Sequence, residues 1–213
     1  MDILSPELSA YAESHTSEET EVLKQLNRET NASVLMPQML SGPLQGQLLS
    51  MISQMIRPKH ILEIGTYTGY SAICLAAGLQ EQGMLHTIDI NDELGPMVNN
   101  YIQKANLTDR IKPYIGNALK IIPGLDESFD LVFIDADKIN YSTYYDLVFD
   151  KIRSGGFILA DNVLWSGKVL EPEKSMDADT RAIVAFNKKV HEDKRVQHVL
   201  LPVRDGLMLI RKI

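Results

Sequence analysis

Apolar residues recur at helical spacing through the N-terminal part of the chain. The most regular run places six apolar residues on one face, at Leu44, Leu48, Leu49, Ile52, Met55 and Ile56. Arg57-Pro58 ends that predicted helix, because proline cannot continue the helical hydrogen bonding. Another helix is predicted over residues 17–30, where apolar residues lie among charged ones. The pattern therefore predicts a helical segment over residues 1–57.

From residue 60 onward, short apolar runs alternate with helical runs. Five of the short runs are predicted strands, at residues 60–64, 84–89, 111–115, 129–134 and 157–160. The intervening helices are predicted over 70–80, from a cap at Asn91 or Asp92, near 117–122, and over 141–153, where Gly155-Gly156 marks the end. Strands that alternate with helices indicate right-handed βαβ units and a parallel sheet covered on both faces.

The last part of the chain has a different pattern. After a predicted helix over residues 179–192, apolar runs at 196–201 and 207–212 flank the sequence Pro202-Val-Arg-Asp-Gly206. The Asp-Gly pair favours a tight hairpin, so we expect these two strands to be antiparallel neighbours. The predicted fold class is α/β, with a Rossmann-like, doubly wound sheet over residues 58–213 that an antiparallel pair closes.

Composition narrows the class of protein. The 213 residues fit a single domain, 1–213, and 45% hydrophobic with 23% charged residues is typical of globular proteins. With 21 basic against 28 acidic residues the net charge is −7, which argues against nucleic acid or an anionic membrane as a partner. A single cysteine, Cys74, excludes an intramolecular disulfide and a cysteine-based zinc site. We see no signal peptide after Met1 and no apolar stretch near the roughly 20 residues of a membrane span, so we expect a cytoplasmic protein.

The turn after the first predicted strand carries glycines and an acid. Its sequence is Glu63-Ile-Gly65-Thr66-Tyr-Thr-Gly69-Tyr-Ser71. Glycine lets the backbone approach a ligand closely, and the N-terminus of the following helix offers free N–H groups. The turn departs from the G-x-G-x-x-G pattern of pyrophosphate sites, and Glu63 suits a ligand that carries ammonium and sulfonium groups. Asp89 ends the second predicted strand, where an acid accepts hydrogen bonds from both hydroxyls of an adenosine ribose.

Oxygen-bearing side chains also follow two later predicted strands. Asp135-Ala-Asp137-Lys138 follows the fourth strand, and Asp161-Asn162 follows the fifth. Because the carboxyl ends of parallel strands face one crevice, we expect Asp135, Asp161 and Asn162 to converge. Oxygen donors without Cys or His favour a hard divalent cation such as Mg²⁺ or Ca²⁺. Lys138 is then placed to act as a general base beside that cation.

These motifs resemble those of one enzyme family. The sequences Glu63-Ile-Gly-Thr-Tyr-Thr-Gly-Tyr-Ser, Phe-Ile-Asp135-Ala-Asp-Lys138 and Asp161-Asn-Val-Leu-Trp-Ser-Gly167 are similar to those of cation-dependent O-methyltransferases, which include caffeoyl-CoA and catechol O-methyltransferases. The resemblance extends from about residue 36 to the C-terminal Leu-Pro-Val-Arg-Asp-Gly-Leu. The plant enzymes have asparagine at the position of Ser166, and the first 35 or so residues match nothing in the family pattern.

The resemblance implies a fold, a reaction and a set of site residues. The fold would be a mostly parallel sheet of seven strands in the order 3-2-1-4-5-7-6, with the last pair antiparallel. The reaction would move a methyl group from S-adenosylmethionine (SAM) to a hydroxyl of a vicinal dihydroxy-aromatic small molecule, catalysed by a homodimer with Mg²⁺, or with Ca²⁺ or Mn²⁺. The implied SAM-binding residues are Ser41, Glu63, Gly65, Thr66, Gly69, Ser71, Asp89, Ala118, Asp135 and Asp137. The implied cation ligands are Asp135, Asp161 and Asn162, the catalytic residues are Lys138 and Asp135, and the substrate contacts are Trp165 and Ser166.

Three alternatives stay open at this point. An NAD(P)-dependent oxidoreductase on a related fold explains Gly65, Gly69 and Asp89, but not the acidic strand ends or the antiparallel tail. A non-catalytic module that keeps the cofactor pocket would not need the three candidate ligands together with Lys138. A nucleic-acid methyltransferase is disfavoured by the net charge of −7.

Overall fold

The structure is a computed structural model that describes residues 5–213. The first four residues of the predicted N-terminal segment 1–57 therefore lie outside the described residues. Within the described part, no helix combines the length and the apolar character needed to cross a membrane.

A seven-stranded sheet forms the centre of the structure. Its strands are β1 (His60–Ile64), β2 (Met84–Asp89), β3 (Ile111–Ile115), β4 (Phe129–Ile134), β5 (Ile152–Asp161), β6 (Val196–Leu201) and β7 (Leu207–Lys212). Their order is β3-β2-β1-β4-β5-β7-β6. The first five strands pair in parallel, whereas β7 runs antiparallel to both β5 and β6. The predicted fold class and strand order are confirmed.

Helices cover both faces of this sheet. Over residues 5–213 they are α1 (Pro6–Ser14), α2 (Glu21–Ser33), α3 (Gly42–Ile56), α4 (Tyr70–Ala76), α5 (Gly95–Lys104), α6 (Ala118–Ile121), α7 (Tyr141–Phe149) and α8 (Ala178–Glu192). On one face, Leu26 of α2 and Leu49 of α3 lie in the same apolar layer as Ile61 of β1. On the other face, Tyr145 of α7 and Phe186 of α8 pack in a second layer. Burial of these apolar faces is the main stabilising contribution to such a layered fold.

The predicted end of the helix before β5 is wrong. We expected a helix over residues 141–153 that ends at Gly155-Gly156, but α7 ends at Phe149 and β5 begins at Ile152. Both glycines lie inside the strand, beside a break in the regular pairing of β4 and β5 between Phe129 and Leu131. A Cβ on Gly156 would lie 2.8 Å from a carbon of Ile152. These glycines therefore mark an irregular strand, a role that glycine also has in sheets.

Three further helices differ from their predicted bounds. Helix α2 spans Glu21–Ser33 instead of residues 17–30. The helix after β2 begins at Gly95, with Pro96 in its first turn, instead of at a cap on Asn91 or Asp92. The Asn91 side chain accepts a hydrogen bond from Glu93 N at 3.0 Å. It therefore stabilises a turn over residues 91–93, which precedes the helix. Helix α4 ends at Ala76 instead of residue 80. The following Gly78 approaches the Ser53 backbone so closely that a Cβ would lie 2.1 Å from the Ser53 carbonyl carbon.

Candidate active site

The glycine turn after β1 is pressed against the end of β4. Gly65 has a φ of +100°, and a Cβ on it would lie 1.8 Å from the Asp135 carbonyl oxygen. Asp135 N donates to the Ile64 carbonyl oxygen at 2.9 Å, so a backbone hydrogen bond between the ends of β4 and β1 holds the same contact. Because only glycine has no Cβ, Gly65 permits the turn to touch the strand that carries Asp135. The two predicted halves of the site are therefore in direct contact.

Asp89 closes the turn from the end of β2. Its Oδ2 accepts hydrogen bonds from Thr66 N at 2.9 Å and from Tyr67 N at 2.7 Å. Its Oδ1 accepts from Asn91 N at 2.9 Å. A cleft opens beside this carboxylate, with a lining that includes Thr66, Tyr67, Asp89, Val98, Asn99 and Tyr114. Backbone donors thus hold Asp89 at the wall of a cleft, where a ligand hydroxyl can also reach it.

Glu63 lies beneath the turn and is fully buried. Its Oε2 accepts a hydrogen bond from the Thr87 hydroxyl at 2.5 Å, while its Oε1 has no hydrogen-bond partner among the described residues. Burial raises the pKa of Glu63 to about 8, against the lowering effect of the Thr87 bond. In this structure the Glu63 carboxyl is therefore a neutral group below the turn at neutral pH.

At the neighbouring strand ends, one ammonium group lies between two candidate ligands. Lys138 is 7% exposed, and its Nζ lies 3.2 Å from Asp135 Oδ1 and 2.8 Å from Asn162 Oδ1. It also donates to the Tyr141 hydroxyl at 2.7 Å, which donates to the Asp161 carbonyl oxygen at 2.9 Å. The structure thus brings together Asp135, Lys138, Asp161 and Asn162, as their positions after strands predict.

Asp161 is the most buried member of this group, at 4% exposed. Burial, followed by the nearby charge of Asp135, raises the pKa of Asp161 to about 7. Its Oδ1 accepts from Asn162 N at 2.8 Å, and its Oδ2 accepts from the Gln45 amide at 2.6 Å. Asp135 is partly exposed, and its charge acts against ionisation of the buried Asp161. The Lys138 ammonium supplies positive charge beside this pair.

The loop after Asp161 is held in unusual backbone conformations. Asn162, Trp165 and Ser166 all have φ values between +47° and +57°, a region that costs non-glycine residues energy. Ser166 N donates to Asp205 Oδ1 at 2.5 Å, which ties the loop to the turn between β6 and β7. The Trp165 ring lies 5.6 Å from Lys138 Nζ, and its indole N–H is buried without a partner in the described residues. Trp165 is thus a wall of the space around Lys138.

The remaining predicted residues lie around these two groups. Ser71 and Ser41 are 7% and 8% exposed, in α4 and immediately before α3. Gly69 has a φ of +87° at the start of α4, and Ala118 begins α6. The Asp137 carboxylate accepts hydrogen bonds from the Tyr144 hydroxyl and the Asn140 amide, both at 2.5 Å. Their proposed contacts with a cofactor stay predictions.

Sequence reasoning missed two residues of this site. Gln45 lies within the predicted helix and was not distinguished from its neighbours, yet it bonds to Asp161. Arg204 lies in the predicted hairpin turn, and its guanidinium donates to Gln45 Oε1 at 3.1 Å. No spacing along the chain links residues that are so far apart in sequence. Polarity alone gave no signal, because α3 also carries Gln47, Ser50 and Gln54, and only the structure shows that Gln45 is buried.

The candidate metal site has few carboxylate donors. Within residues 5–213, no group of three or more His, Cys, Asp or Glu side chains is arranged to hold a metal ion. The predicted set contains two carboxylates, Asp135 and Asp161, and the amide oxygen of Asn162. Such a set of oxygen donors is typical of weakly held Mg²⁺, which keeps open positions for water and substrate.

Comparison with known proteins agrees with this picture. A family model described as O-methyltransferase matches residues 13–213. A probable caffeoyl-CoA O-methyltransferase 2 from Dictyostelium discoideum is 34% identical over 208 residues, with coverage of 95% of this chain and 90% of the relative. Caffeoyl-CoA O-methyltransferase 1 from Eucalyptus globulus is 37% identical, with coverage of 92% and 83%.

Solved structures show the same fold. The O-methyltransferase from Bacillus cereus, in complex with S-adenosylhomocysteine (SAH), superposes with a TM-score of 0.89 at 28% identity and covers 97% of both chains. The O-methyltransferase TomG from Streptomyces achromogenes, in complex with SAM, has a TM-score of 0.89 at 27% identity and covers 97% of this chain and 96% of its own.

The strand order with an antiparallel β7, together with the glycine turn and Asp89, defines the class of Rossmann-like methyltransferases. Within that class, the chain belongs to the O-methyltransferase family that includes the caffeoyl-CoA O-methyltransferases. The predicted family and enzyme class are thus confirmed, and the NAD(P)-dependent oxidoreductase alternative has no support in these comparisons.

Proposed function

We propose that this enzyme transfers the methyl group of SAM to one hydroxyl of a vicinal dihydroxy-aromatic small molecule, with the help of a divalent cation. The acceptor would be catechol-like or a hydroxycinnamoyl thioester. The observation that carries the proposal is the meeting of Asp135, Asp161, Asn162 and Lys138 directly beside the glycine turn. The SAM and SAH bound to the neighbours in solved structures support the identity of the methyl donor.

The three proposed ligands fit a hard cation. Asp135, Asp161 and Asn162 would hold it through oxygen atoms, which favours Mg²⁺, with Mn²⁺ and Ca²⁺ as alternatives. Burial and the charge of Asp135 disfavour ionised Asp161, so positive charge at this point stabilises the carboxylate pair. A bound divalent cation would lower the pKa of a phenolic hydroxyl below its ordinary value of about 10.

Lys138 is the proposed proton acceptor. Its Nζ is fixed by Asp135, Asn162 and Tyr141 beside the proposed cation site. The ammonium has no lone pair, so it would first lose one proton to solvent, which the like charge of a bound cation favours. The neutral amine would then accept the proton of the phenolic hydroxyl. The Tyr141 and Trp165 rings lie 4.7 and 5.6 Å from Nζ and limit its movement and its contact with water. Trp165 and Ser166 would contact the aromatic ring of the acceptor.

The turn and the cleft would hold the methyl donor. Asp89 would bind the ribose hydroxyls, because its carboxylate borders the cleft and is already oriented by Thr66 N and Tyr67 N. Glu63, Gly65, Gly69 and Ser71 would surround the methionine portion at the start of α4. Since Gly65 touches Asp135, donor and acceptor would be held at the short distance that methyl transfer requires. Ser41, Ala118 and Asp137 complete the proposed donor site; the homodimer and the cytoplasmic location stay predictions.

The proposed role of the cation is tested by removing either the cation or one of its ligands. Chelation with EDTA, or the substitution Asp161→Ala, should lower transfer of a labelled methyl group to a catechol by about 100-fold or more, because several kcal/mol of charge stabilisation are lost. Calorimetry should show that the affinity for SAM stays within about threefold, since Asp161 does not line the cleft. Equal turnover with and without chelator contradicts the cation role.

The reciprocal variant is Asp89→Asn. It weakens hydrogen bonds to a charged acceptor, so we expect the Kd for SAM to rise about 10-fold to 100-fold. The dependence of the rate on cation concentration, measured at saturating SAM, should not change. Asp92→Asn is the matched control, because Asp92 is an exposed acid three residues along the same loop. A SAM affinity unchanged in Asp89→Asn would contradict the proposed ribose contact.

The acceptor class is tested by matched pairs of phenols. Catechols, flavonoids and hydroxycinnamoyl thioesters with adjacent hydroxyls should accept the labelled methyl group, whereas the matching monophenols should not. Transfer to a monophenol at the same rate as to its diol would contradict the proposal that two adjacent oxygens are bound.

A further inference from the structure

The turn between β6 and β7 contacts two segments of the site at once. On one side, the Arg204 guanidinium donates to the carbonyl oxygens of Leu40 and Ser41 and to Gln45 Oε1. On the other side, the Asp205 carbonyl oxygen accepts from Leu164 N at 2.9 Å, in the loop that follows Asp161. A turn at the far end of the chain therefore joins the beginning of α3 to the end of β5.

Gln45 uses both ends of its amide in this arrangement. Its side chain is 3% exposed; its Oε1 accepts from Arg204 at 3.1 Å, and its Nε2 donates to Asp161 Oδ2 at 2.6 Å. Guanidinium groups only donate and carboxylates only accept. The amide is therefore held in one orientation: if it flipped, its NH₂ would face Arg204 and its oxygen would face Asp161.

Both oxygens of Asp161 are thereby fixed. Oδ2 is held by Gln45, and Oδ1 accepts from Asn162 N in its own loop. Groups that hydrogen-bond to a ligating carboxylate fix its plane, and their loss typically lowers metal affinity about 10-fold to 100-fold. Among the described residues, Gln45 is the one side chain that donates a hydrogen bond to the Asp161 carboxylate; the other donor is the backbone N–H of Asn162.

We propose that Gln45, oriented by Arg204, is a positioning residue for the divalent-cation site. This inference rests on the proposed role of Asp161 as a cation ligand. In this arrangement α3 and the turn between β6 and β7 set the geometry of the cation site, although the proposed cation ligands follow β4 and β5. Neither Gln45 nor Arg204 needs to touch the methyl donor or the reacting hydroxyl.

The test measures cation binding without methyl donor or acceptor. Titration of the protein with Mn²⁺, followed by the electron paramagnetic resonance signal of free Mn²⁺, gives the Kd for each variant. Gln45→Met keeps the length of the side chain and removes both hydrogen bonds, so we expect the Kd to rise about 10-fold. In turnover assays the apparent KM for the cation should rise by a similar factor, while kcat at saturating cation stays within about threefold.

Arg204 should act through Gln45. We expect Arg204→Met to raise the Mn²⁺ Kd by about threefold to 10-fold, and the double variant with Gln45→Met to bind no more weakly than Gln45→Met alone. Arg204→Lys, which keeps a donor at this position, should recover part of the loss. The matched control is Gln197→Met: Gln197 Oε1 also accepts from an arginine, Arg211, at 3.3 Å, but both side chains are exposed on the hairpin strands.

Asp161→Asn separates the two levels of the proposal. If Asp161→Asn loses Mn²⁺ binding while Gln45→Met binds as tightly as Gln197→Met, the positioning role is wrong and the cation site stands. If Asp161→Asn keeps the wild-type Kd, the cation site itself is wrong, and the positioning role fails with it. Should Gln45→Met not fold, Arg204→Met decides alone, since Arg204 is only half-buried; an unchanged Mn²⁺ Kd in that variant overturns the inference.

Discussion

The two halves of the active site are built in different ways. The contacts that hold Asp89 in the donor half are local: it is bonded by N–H groups of Thr66 and Tyr67, all within one βαβ unit. The cation half depends on long-range contacts, because Asp161 is held by Gln45 in α3, and the loop after it is tied to Asp205 in the last hairpin. The contacts around Asp89 join neighbouring segments of one unit, whereas Gln45 and Asp161 lie 116 positions apart in sequence and must be brought together by the complete fold.

Charge separates the two halves as well. The Asp89 carboxylate is bonded by three backbone N–H groups and stands at the edge of a cleft. Asp135 and Asp161 instead depend on the Lys138 ammonium in the structure and, in our proposal, on a cation in the working enzyme. Because of this difference, SAM binding should survive substitutions that remove cation binding. The following variants test whether the two kinds of binding can be lost separately.

The one variant that should damage both halves together is Gly65→Ala. Its Cβ would lie 1.8 Å from the Asp135 carbonyl oxygen, so the turn and the end of β4 must move apart. We expect a loss of at least about 3 kcal/mol in the free energy of unfolding, measured with urea, together with loss of both SAM and Mn²⁺ binding. Gly69→Ala is the control: its φ is +87°, but its Cβ would meet Val98 Cγ1 at 3.5 Å, so only about 1 kcal/mol of backbone strain is expected. Equal stability of the two variants would contradict this account of the contact.

Lys138→Met should separate catalysis from cation binding. We expect the rate of methyl transfer to fall about 100-fold to 10,000-fold, because the proposed proton acceptor is lost. The Mn²⁺ Kd should stay the same or fall, since a positive charge that lies 3.2 Å from Asp135 and 2.8 Å from Asn162 is removed. Lys168→Met, which removes an exposed ion pair with Asp177, is the control for loss of one lysine charge. Turnover retained in Lys138→Met would show that another group accepts the proton.

The effect expected at Glu63 appears only in the pH dependence of stability. Because burial raises the pKa of Glu63 from 4.5 to about 8, folding favours its protonated form. Its contribution to stability is complete below pH 4.5 and is lost as the pH rises through 8. Glu63→Gln is neutral at every pH, so the decrease in unfolding free energy between pH 5.5 and 8.5 should be smaller by up to about 3 kcal/mol.

Asp161 also contributes to the pH dependence of stability that this experiment measures. Its raised pKa of about 7 gives a pH dependence of the same sign, so the slope in Glu63→Gln should be reduced and not abolished. Glu81→Gln, at an exposed position, is the matched control and should keep the wild-type slope. An unchanged slope in Glu63→Gln would mean that Glu63 is ionised in the folded protein.

Much of the fold and part of the site could be predicted from the sequence. The alternation of strands and helices and the Asp-Gly turn were sufficient for the parallel sheet and its antiparallel end, and the family resemblance supplied the strand order. The candidate residues Asp135, Lys138, Asp161 and Asn162 could be found because each follows a strand, and parallel strands place such positions together. Gln45 could not be found, because its role depends on two partners far away in sequence.

The errors in the predicted helix boundaries have a common cause. Gly155-Gly156 was interpreted as the end of a helix, although β5 begins at Ile152 and contains both glycines. Asn91 was interpreted as a helix cap, although it stabilises a separate turn before Gly95. Glycine and asparagine serve several turns and irregular strands equally well, and only tertiary contacts decide among them.

The contact between Gly65 and Asp135 has a consequence for redesign of the enzyme. In an enzyme with the proposed roles, the donor half and the acceptor half meet where the Gly65 backbone touches the Asp135 backbone, with no side chain between them. Exchange of the outer loops could therefore change which phenol enters while the gap across which the methyl group moves stays as it is. The outer loops would select the acceptor. The distance between donor and acceptor would stay the same, because it is set by the absence of a Cβ on Gly65.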